Sequence, residues 1–497
     1  MGRKHTRVSR WKRRVRNTMI VGGFGAAAGA TIAVRSMDDD SKERFRRQRR
    51  IWKLTARRGT HWATVKARGI GADEAKRAAL DEQFAIRTAE DVAKELGNMK
   101  GAIMKLGQMI SFIADGLPPE AQAALASLQQ DVPPMAPSLA EQVVREQLGD
   151  DPRKIFLSWD ETPVAAASIG QVHRAVLHDG REVAVKVQYP GVGQAIKHDL
   201  DNAEMLYAMF SAFALKGLDV HALVDELRDR MYDELDYRLE AACQTEFYDR
   251  YHGHPFIHIP AVVPEFSAEK VLTTEWIDGI SWTDFEANAT EAQRQHAAEV
   301  VFRFAQGSVH GHRVFNGDPH PGNYRFHLDG PLAGTVTFFD FGLVKRWSGE
   351  EFTKLMPILD LLMDNKVDET VAAMENVGFL MRNHGLDHQH IYECVSAPYR
   401  AYRDDEFTFT RSYTSDALQN VMDLQGPYAD VIKCLNMPPA FVILDRVVWG
   451  VSALLGRLEA RNRWRAILDE YRHDGPPATP LGEAEHAWKA AAASTPT

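Results

Sequence analysis

Cysteine is scarce in this chain: 497 residues contain three, Cys243, Cys394 and Cys434. They are far apart and odd in number, which excludes a disulfide framework and points to a reducing compartment. No His or Cys spacing of the zinc type occurs, so metal chemistry built on those ligands is set aside. Long apolar runs are also missing. The segment Met19–Val34, "MIVGGFGAAAGATIAV", stops at 16 residues, short of the roughly 20 needed to cross a bilayer. Gly25 and Gly29 do have the small-residue spacing of closely packed membrane helices. A second basic run, "SKERFRRQRR", follows at once. With charge on both flanks, the segment reads as a peripheral or shallow membrane contact on the cytoplasmic side rather than an export signal.

The net charge of −9 is unevenly distributed. Residues 1–68 hold 20 Lys/Arg against 4 Asp/Glu, and the remainder holds 39 against 64. A basic arm on an acidic body predicts contact with an anionic membrane surface. Nucleic acid is not expected, because no aromatic stacking motif of known type accompanies the basic residues.

A hydrophobic content of 45% with 26% charged residues is ordinary for a globular chain, and the length calls for two lobes plus extensions. Residues 1–70 form the arm. Residues 71–150 read as a helical extension, with amphipathic patterning from Thr88 to Gly149 broken at Gly116 and Pro118–Pro119. From Phe156 the pattern changes to short β-branched runs, as in "ASIGQVHRAVLHDGREVAVKVQY", a strand pair turning at Asp179–Gly180. Long helical stretches are predicted near 191–216 and 220–250. The buried strand "VLTTEWIDG" then leaves a small lobe spanning 151–278. Residues 279–474 read as a mostly helical lobe interrupted by the hairpin "YRFHLDGPLAGTVTFFDFG". The Pro/Ala/Ser/Thr-rich stretch 475–497 is predicted to be disordered. The fold class is α+β, a two-lobed kinase-like plan with an N-terminal helical extension.

Four residues occur in the order that kinase-type phosphoryl transfer requires. Lys186 in "VAVK" ends a strand, where an ammonium can reach phosphates. Asp318 and Asn323 in "FNGDPHPGNY" have the spacing of the acid that positions a nucleophile and the amide that holds Mg²⁺. Asp340 in "FFDFG" follows a buried strand, where a carboxylate can bridge phosphates through Mg²⁺. Three features of the usual set are missing. Asn316 and Gly317, not His-Arg, precede Asp318. No Ala-Pro-Glu follows, so a peptide-docking groove is not expected. The loop ahead of "VAVK" is alanine where glycine would close over a triphosphate. His320, between two prolines, is read as a loop-stiffening residue packed in place, not a metal ligand.

Lys105-Leu-Gly107-Gln108, "AAASIGQVH", "VAVKVQ", "DELDYRLEAA", "TTEWIDG", "DPHPGN", "DFG" and "MPPAFVILDRVVWG" together resemble the UbiB, or ADCK, family of atypical kinase-like proteins over about residues 88–460. The resemblance implies a nucleotide held by the alanine loop Ala165, Ala166, Ala167 and Ser168, by Lys186, and by Glu275 and Ile277 of the connecting strand. It implies a glutamate partner for Lys186 at Glu240. It further implies a covering helix whose Lys105 and Gln108, with Glu234 and Asp236, regulate the cleft. Asp236 and Glu240 at i and i+4 share a helix face, while Glu234 points away toward Lys105. The alanine methyls restrict the loop backbone that glycines would free. The implied activity is therefore ATP binding and slow, lipid-responsive hydrolysis with Mg²⁺, with or without transfer to a lipid or quinone-like small molecule. A non-catalytic ATP-gated scaffold or lipid chaperone is the alternative, and a homodimer is left open.

Overall fold

The computed structural model of the protein describes residues 136–167, 169–193, 232–413, 426–436 and 439–494. Lys105, Gln108 and Ser168 lie outside the described residues, as do the basic arm and most of the helical extension.

Helix α1 (Pro137–Leu148) starts with a proline in its first turn and stops at Gly149, whose left-handed φ of 93° favours glycine. β1 (Ser158–Trp159), β2 (Ala165–Ala167), β3 (Gly170–Val176) and β4 (Glu182–Gln188) follow. After helix α2 (Tyr237–Tyr251) and β5 (Ile257–His258), β6 (Val271–Glu275) joins them in a sheet ordered β1-β3-β4-β6, with β2 paired to β3. Alternation explains how the sheet faces are used. Val183, Val185 and Val187 of β4 bury against Ala140, Val143 and Val144 of α1. The two-residue period therefore sends Lys186, flanked in register by Val172 and Leu272, to the opposite face. Gly170 permits a close approach there, since a Cβ would sit 2.3 Å from the Val187 carbonyl oxygen and 2.9 Å from Tyr237 Oη.

The larger lobe is mostly helical. α3 (Trp282–Asn288) and α4 (Glu291–Gln306) come first, and Thr290 and Gln293 close a capping box on α4. β7 (Val314–Asn316), β8 (Tyr324–Phe326), β9 (Val336–Phe338) and β10 (Val344–Arg346) then form two small ladders. β7 pairs with β10. β8 pairs with β9 as the expected hairpin, Tyr324 opposite Phe338, and β5 runs parallel to β9. The rest is α5 (Gly349–Met363), α6 (Val367–Val377), α7 (His388–Ser396), β11 (Phe407–Thr408), α8 (Pro439–Arg457), β12 (Arg461–Asn462), α9 (Trp464–Arg472) and α10 (Pro480–Ser494). Stacked rings join helices to hairpin: Phe304 on Phe338 at 3.8 Å and Phe285 on Phe326 at 4.0 Å between centroids. The Gly317 N–H donates to the Leu343 carbonyl at 2.8 Å and the Phe339 N–H to the Asn323 carbonyl at 2.9 Å, so the loop after β7 and the loop after β9 are tied together.

Two expectations are corrected. The stretch 475–497 is not a disordered tail, because residues 480–494 form α10. Its alanines favour helix, and its buried Glu485 meets the fully buried Arg303 at 3.3 Å. Gly482 lets it dock, since a Cβ there would lie 2.8 Å from both Arg303 and Glu470. Asp236 and Glu240 do not share a helix face either. The helix starts at Tyr237, and Asp236 is its N-cap, accepting the Arg238 backbone N–H at 3.0 Å and the Arg238 guanidinium at 2.7 Å. The side chain–backbone bond stops the helix from continuing N-terminally.

Candidate functional site

Lys186 Nζ donates to both carboxylate oxygens of Glu240, at 2.7 and 2.8 Å. The strand's alternation puts the ammonium on the cleft face, and the first turn of α2 brings the carboxylate to it. Both side chains are largely shielded, 18% and 9% exposed. Burial alone would lower the Lys186 pKa, but the Glu240 and Asp340 carboxylates outweigh it and hold the ammonium above its ordinary value. The Tyr237 ring lies 5.0 Å from Nζ, and burial pushes its hydroxyl pKa up.

Asp340 sits two residues beyond β9 with a left-handed φ of 59°, a conformation that costs a non-glycine residue and marks many functional positions. Its Oδ1 accepts from the Gly342 N–H at 3.1 Å. A Cβ at Gly342 would lie 3.2 Å from Asp340 Oδ1 and 3.9 Å from Glu240 Oε2, so the two carboxylates converge around that glycine. Asp318 and Asn323 bracket a tight loop, in which Asn323 Nδ2 donates to Asp318 Oδ2 at 3.4 Å and to its carbonyl at 3.3 Å. The Asn323 carbonyl accepts from the Phe339 N–H at 2.9 Å, tying this loop to the strand end that carries Asp340. His320 lies in this loop. It is exposed, and its Nδ1 accepts the Gly322 N–H at 3.1 Å, which stiffens the loop without placing the ring in the cleft.

Two residues to which the sequence reading gave no role belong to this site. Asn316 Nδ2 donates to the Asp340 carbonyl at 2.7 Å, and its Oδ1 accepts the Asp318 N–H at 2.8 Å. One amide thus joins the two acidic loops. The signal was its place two residues before Asp318, noted only as a missing histidine. Arg446 of α8, inside "FVILDRVVWG", bonds Asp318 Oδ1 through Nη2. Local sequence does not reveal this pair, because 128 residues separate the partners.

The other candidates fall as follows. Ala165, Ala166 and Ala167 form β2, with Ala165 and Ala166 exposed and Ala167 opposite Gly170. Glu275 ends β6. Its N–H donates to the Ala261 carbonyl at 2.8 Å, and Oε2 lies 3.7 Å from His258 Nε2. Ile277 is half-buried just beyond. Glu234 lies in the turn before α2, in which the Leu235 N–H meets the Tyr232 carbonyl at 3.1 Å.

Among the described residues, no three His, Cys, Asp or Glu side chains converge as a metal site. The donors that are present suit Mg²⁺ nonetheless. This ion is held by one or two protein oxygens together with substrate phosphates and water. Asp340 supplies a carboxylate, and Asn323, whose amide nitrogen is turned to Asp318, keeps its amide oxygen for that use.

A two-lobed arrangement with a strand lysine paired to a helix glutamate, and two acidic loops below, defines a kinase-like fold. The ABC1 atypical kinase-like domain matches residues 127–374. The rat atypical kinase COQ8B, a mitochondrial protein, is 29% identical over 78% of this chain and 72% of its own length. The chloroplastic Arabidopsis thaliana protein ACTIVITY OF BC1 COMPLEX KINASE 1 is 30% identical over 67% of this chain and 47% of its own. The chain spans half or less of several other curated relatives. Rv3197 of Mycobacterium tuberculosis, solved in complex with erythromycin, aligns with a TM-score of 0.58 and 32% identity, covering 80% of this chain and 96% of that one. The chain belongs to the ABC1 atypical kinase-like family, the group of COQ8 and UbiB.

Proposed function

We propose that the protein is an ATP- and Mg²⁺-dependent atypical kinase-like ATPase that works at a membrane in isoprenoid-lipid or quinone metabolism. The observation that carries this reading is the convergence of Lys186–Glu240 with Asp340 in one cleft, wired through Asn316 to Asp318. Lys186, held charged, would bind the α- and β-phosphates, and the alanine strand β2 would close over them. Mg²⁺, when bound by Asp340 and Asn323, would neutralise phosphate charge. Asp318 would orient a water or acceptor hydroxyl and take its proton as the new oxygen–phosphorus bond forms. The bridging bond to ADP breaks in the same step, and ADP leaves with the electron pair.

The lipid link rests on the family and on the basic arm. The COQ8 relatives are mitochondrial by name, and among the described residues no helix is long and apolar enough to cross a membrane. Peripheral attachment through residues 1–70 on the cytoplasmic side of the membrane belongs to this proposal, and the charge of the arm supports it. An ATP-gated scaffold would use the same residues, and turnover separates the two readings.

The test is ATP hydrolysis by the purified protein with Mg²⁺, with and without anionic liposomes, beside Asp340→Asn and Asp318→Asn. We expect turnover that rises with liposomes and falls by about 10²-fold or more in either variant, the range for a positioned acid–base group. Asp318→Asn should still bind nucleotide. Binding without turnover in the wild type would favour the scaffold.

A further inference from the structure

Asp318 stands between an amide and a guanidinium. Asn323 Nδ2 reaches Oδ2 at 3.4 Å, and Arg446 Nη2 reaches Oδ1. Arg446 comes from α8, outside the loops that carry the rest of the site.

The approach of α8 is built into its sequence. Ile443, Arg446 and Gly450 recur at helical spacing and form one stripe. A Cβ at Gly317 would lie 3.0 Å from Ile443 Cγ2, and a Cβ at Gly450 would lie 2.4 Å from Pro319 Cγ. Glycines on both sides therefore allow the helix to lie directly on the Gly317–Pro319 backbone, with Arg446 one turn before Gly450 and opposite Asp318. The space behind is small and mostly apolar. A cavity of about 20 Å³ is lined by Phe315, Asp318, Pro319, Val447 and Val451 among others, room for about one water.

Nearby cations are otherwise engaged. Lys186 is held by Glu240. Arg325 Nη1 donates to the Tyr324 carbonyl at 2.9 Å, and its guanidinium lies over the Phe339 ring at 5.8 Å. His320 is turned out to the Gly322 N–H. Arg446 makes one contact, at Nη2, among the described residues, which leaves most of its five-donor fork for another oxygen ligand. Its side chain is 19% exposed, and that of Asp318 is 14%. A partly buried pair of this kind adds little to stability, so its use is better sought in the chemistry. A guanidinium touching the residue that orients the nucleophile lies where a transferred phosphoryl group must pass, and its fork matches phosphate oxygens.

Resting on the nucleotide reading above, we propose that Arg446 is the phosphoryl-facing cation of the site. It holds Asp318 with one nitrogen and offers the others to the terminal phosphate of a bound nucleoside triphosphate.

The test compares wild type, Arg446→Gln and Arg446→Lys in the full chain. It measures ATP turnover, affinity for Mg²⁺–ADP, affinity for Mg²⁺–ADP–fluoroaluminate as a mimic of the phosphoryl group in transfer, and the unfolding midpoint. Arg446→Gln should bind Mg²⁺–ADP within about two-fold of wild type. It should lose about 10²-fold in both turnover and fluoroaluminate affinity, the usual loss for one transition-state donor. Arg446→Lys should recover part of both, keeping the charge but not the fork. Unchanged or faster turnover in Arg446→Gln, or equal loss of ADP and fluoroaluminate binding, overturns the proposal; faster turnover would make Arg446 a lock on Asp318. If the wild type binds nucleotide without turning it over, the ATPase reading fails while the fluoroaluminate arm still decides Arg446. If it binds no nucleotide, both fall.

Discussion

Two arginines of the molecule, Arg303 and Arg446, are used in opposite ways. Arg303 of α4 is fully buried and saturated: it bonds Glu470 twice at 2.9 Å, Glu299 at 2.8 Å, Thr479 at 3.0 Å and Tyr471 at 3.3 Å. Glu485 of α10 completes the set at 3.3 Å. Arg446 is partly open, with one partner and donors to spare. Burial alone would lower the Arg303 pKa, but its bond to Glu470 and the charges around it reverse the direction. The difference separates architecture from chemistry. Arg303 uses its whole fork to clamp the C-terminal helix to the lobe, whereas Arg446 keeps donors for something the polypeptide does not supply.

The clearest way to break this contrast is Arg303→Ala. It strands Glu299, Glu470 and Glu485 in the interior and should cost about 3–5 kcal/mol of stability, the usual result of removing one side of a buried ion pair. Urea unfolding would measure it. If the distinction holds, the part of the sample still folded keeps wild-type turnover, the reverse of the outcome expected at Arg446.

Acid sharpens the comparison next. His254, edge-on to Trp488 of α10 at 4.6 Å, and His312 are both pushed down to about 4 by burial. Glu485 offsets part of this shift, while Lys489 adds to it, as do Arg303 for His254 and Arg250 for His312. Their folded values lie below the ordinary 6.5, so the unfolded chain binds more protons between pH 6.5 and 4. Stability is therefore complete above about 6.5 and falls as the pH drops toward 4, by about 1–3 kcal/mol per histidine. Thermal melts across that range should show the loss, and His254→Gln should flatten part of it. A melt insensitive to pH would mean that α10 does not depend on these neutral rings.

A third titrating group lies beside Arg446. Asp445 has its Oδ1 sealed from solvent without a hydrogen-bond partner, and burial raises its carboxyl to about 8. A raised folded pKa means the native state holds a proton that the unfolded chain gives up, so this residue removes stability as pH rises from about 4 to 8. Asp445→Asn should stabilise the protein at pH 8 and do little at pH 4. A loss at pH 8 would show that the carboxylate is needed in its charged form.

Much of the fold was legible because period and punctuation were local. The valines of β4, the turn at Asp179–Gly180 and the β8–β9 hairpin follow from alternation and turn chemistry. The start of α2 was misread because Asp236 competes for the Arg238 backbone N–H, and acidic residues on either side of that break look alike in sequence. The tail was misread because composition does not register a buried arginine waiting for Glu485.

For the site, the sequence by itself determined which groups are available: a strand lysine, an Asp-x4-Asn loop and an acid after a buried strand, each set by short-range spacing. Only the tertiary structure decided their partners. Lys186 and Glu240 are 54 residues apart, and Asp318 and Arg446 are 128 apart. The second pair forms because glycines at 317 and 450 remove the side chains that would hold the helix off the loop. That condition concerns surfaces in contact and leaves no periodic trace in the chain.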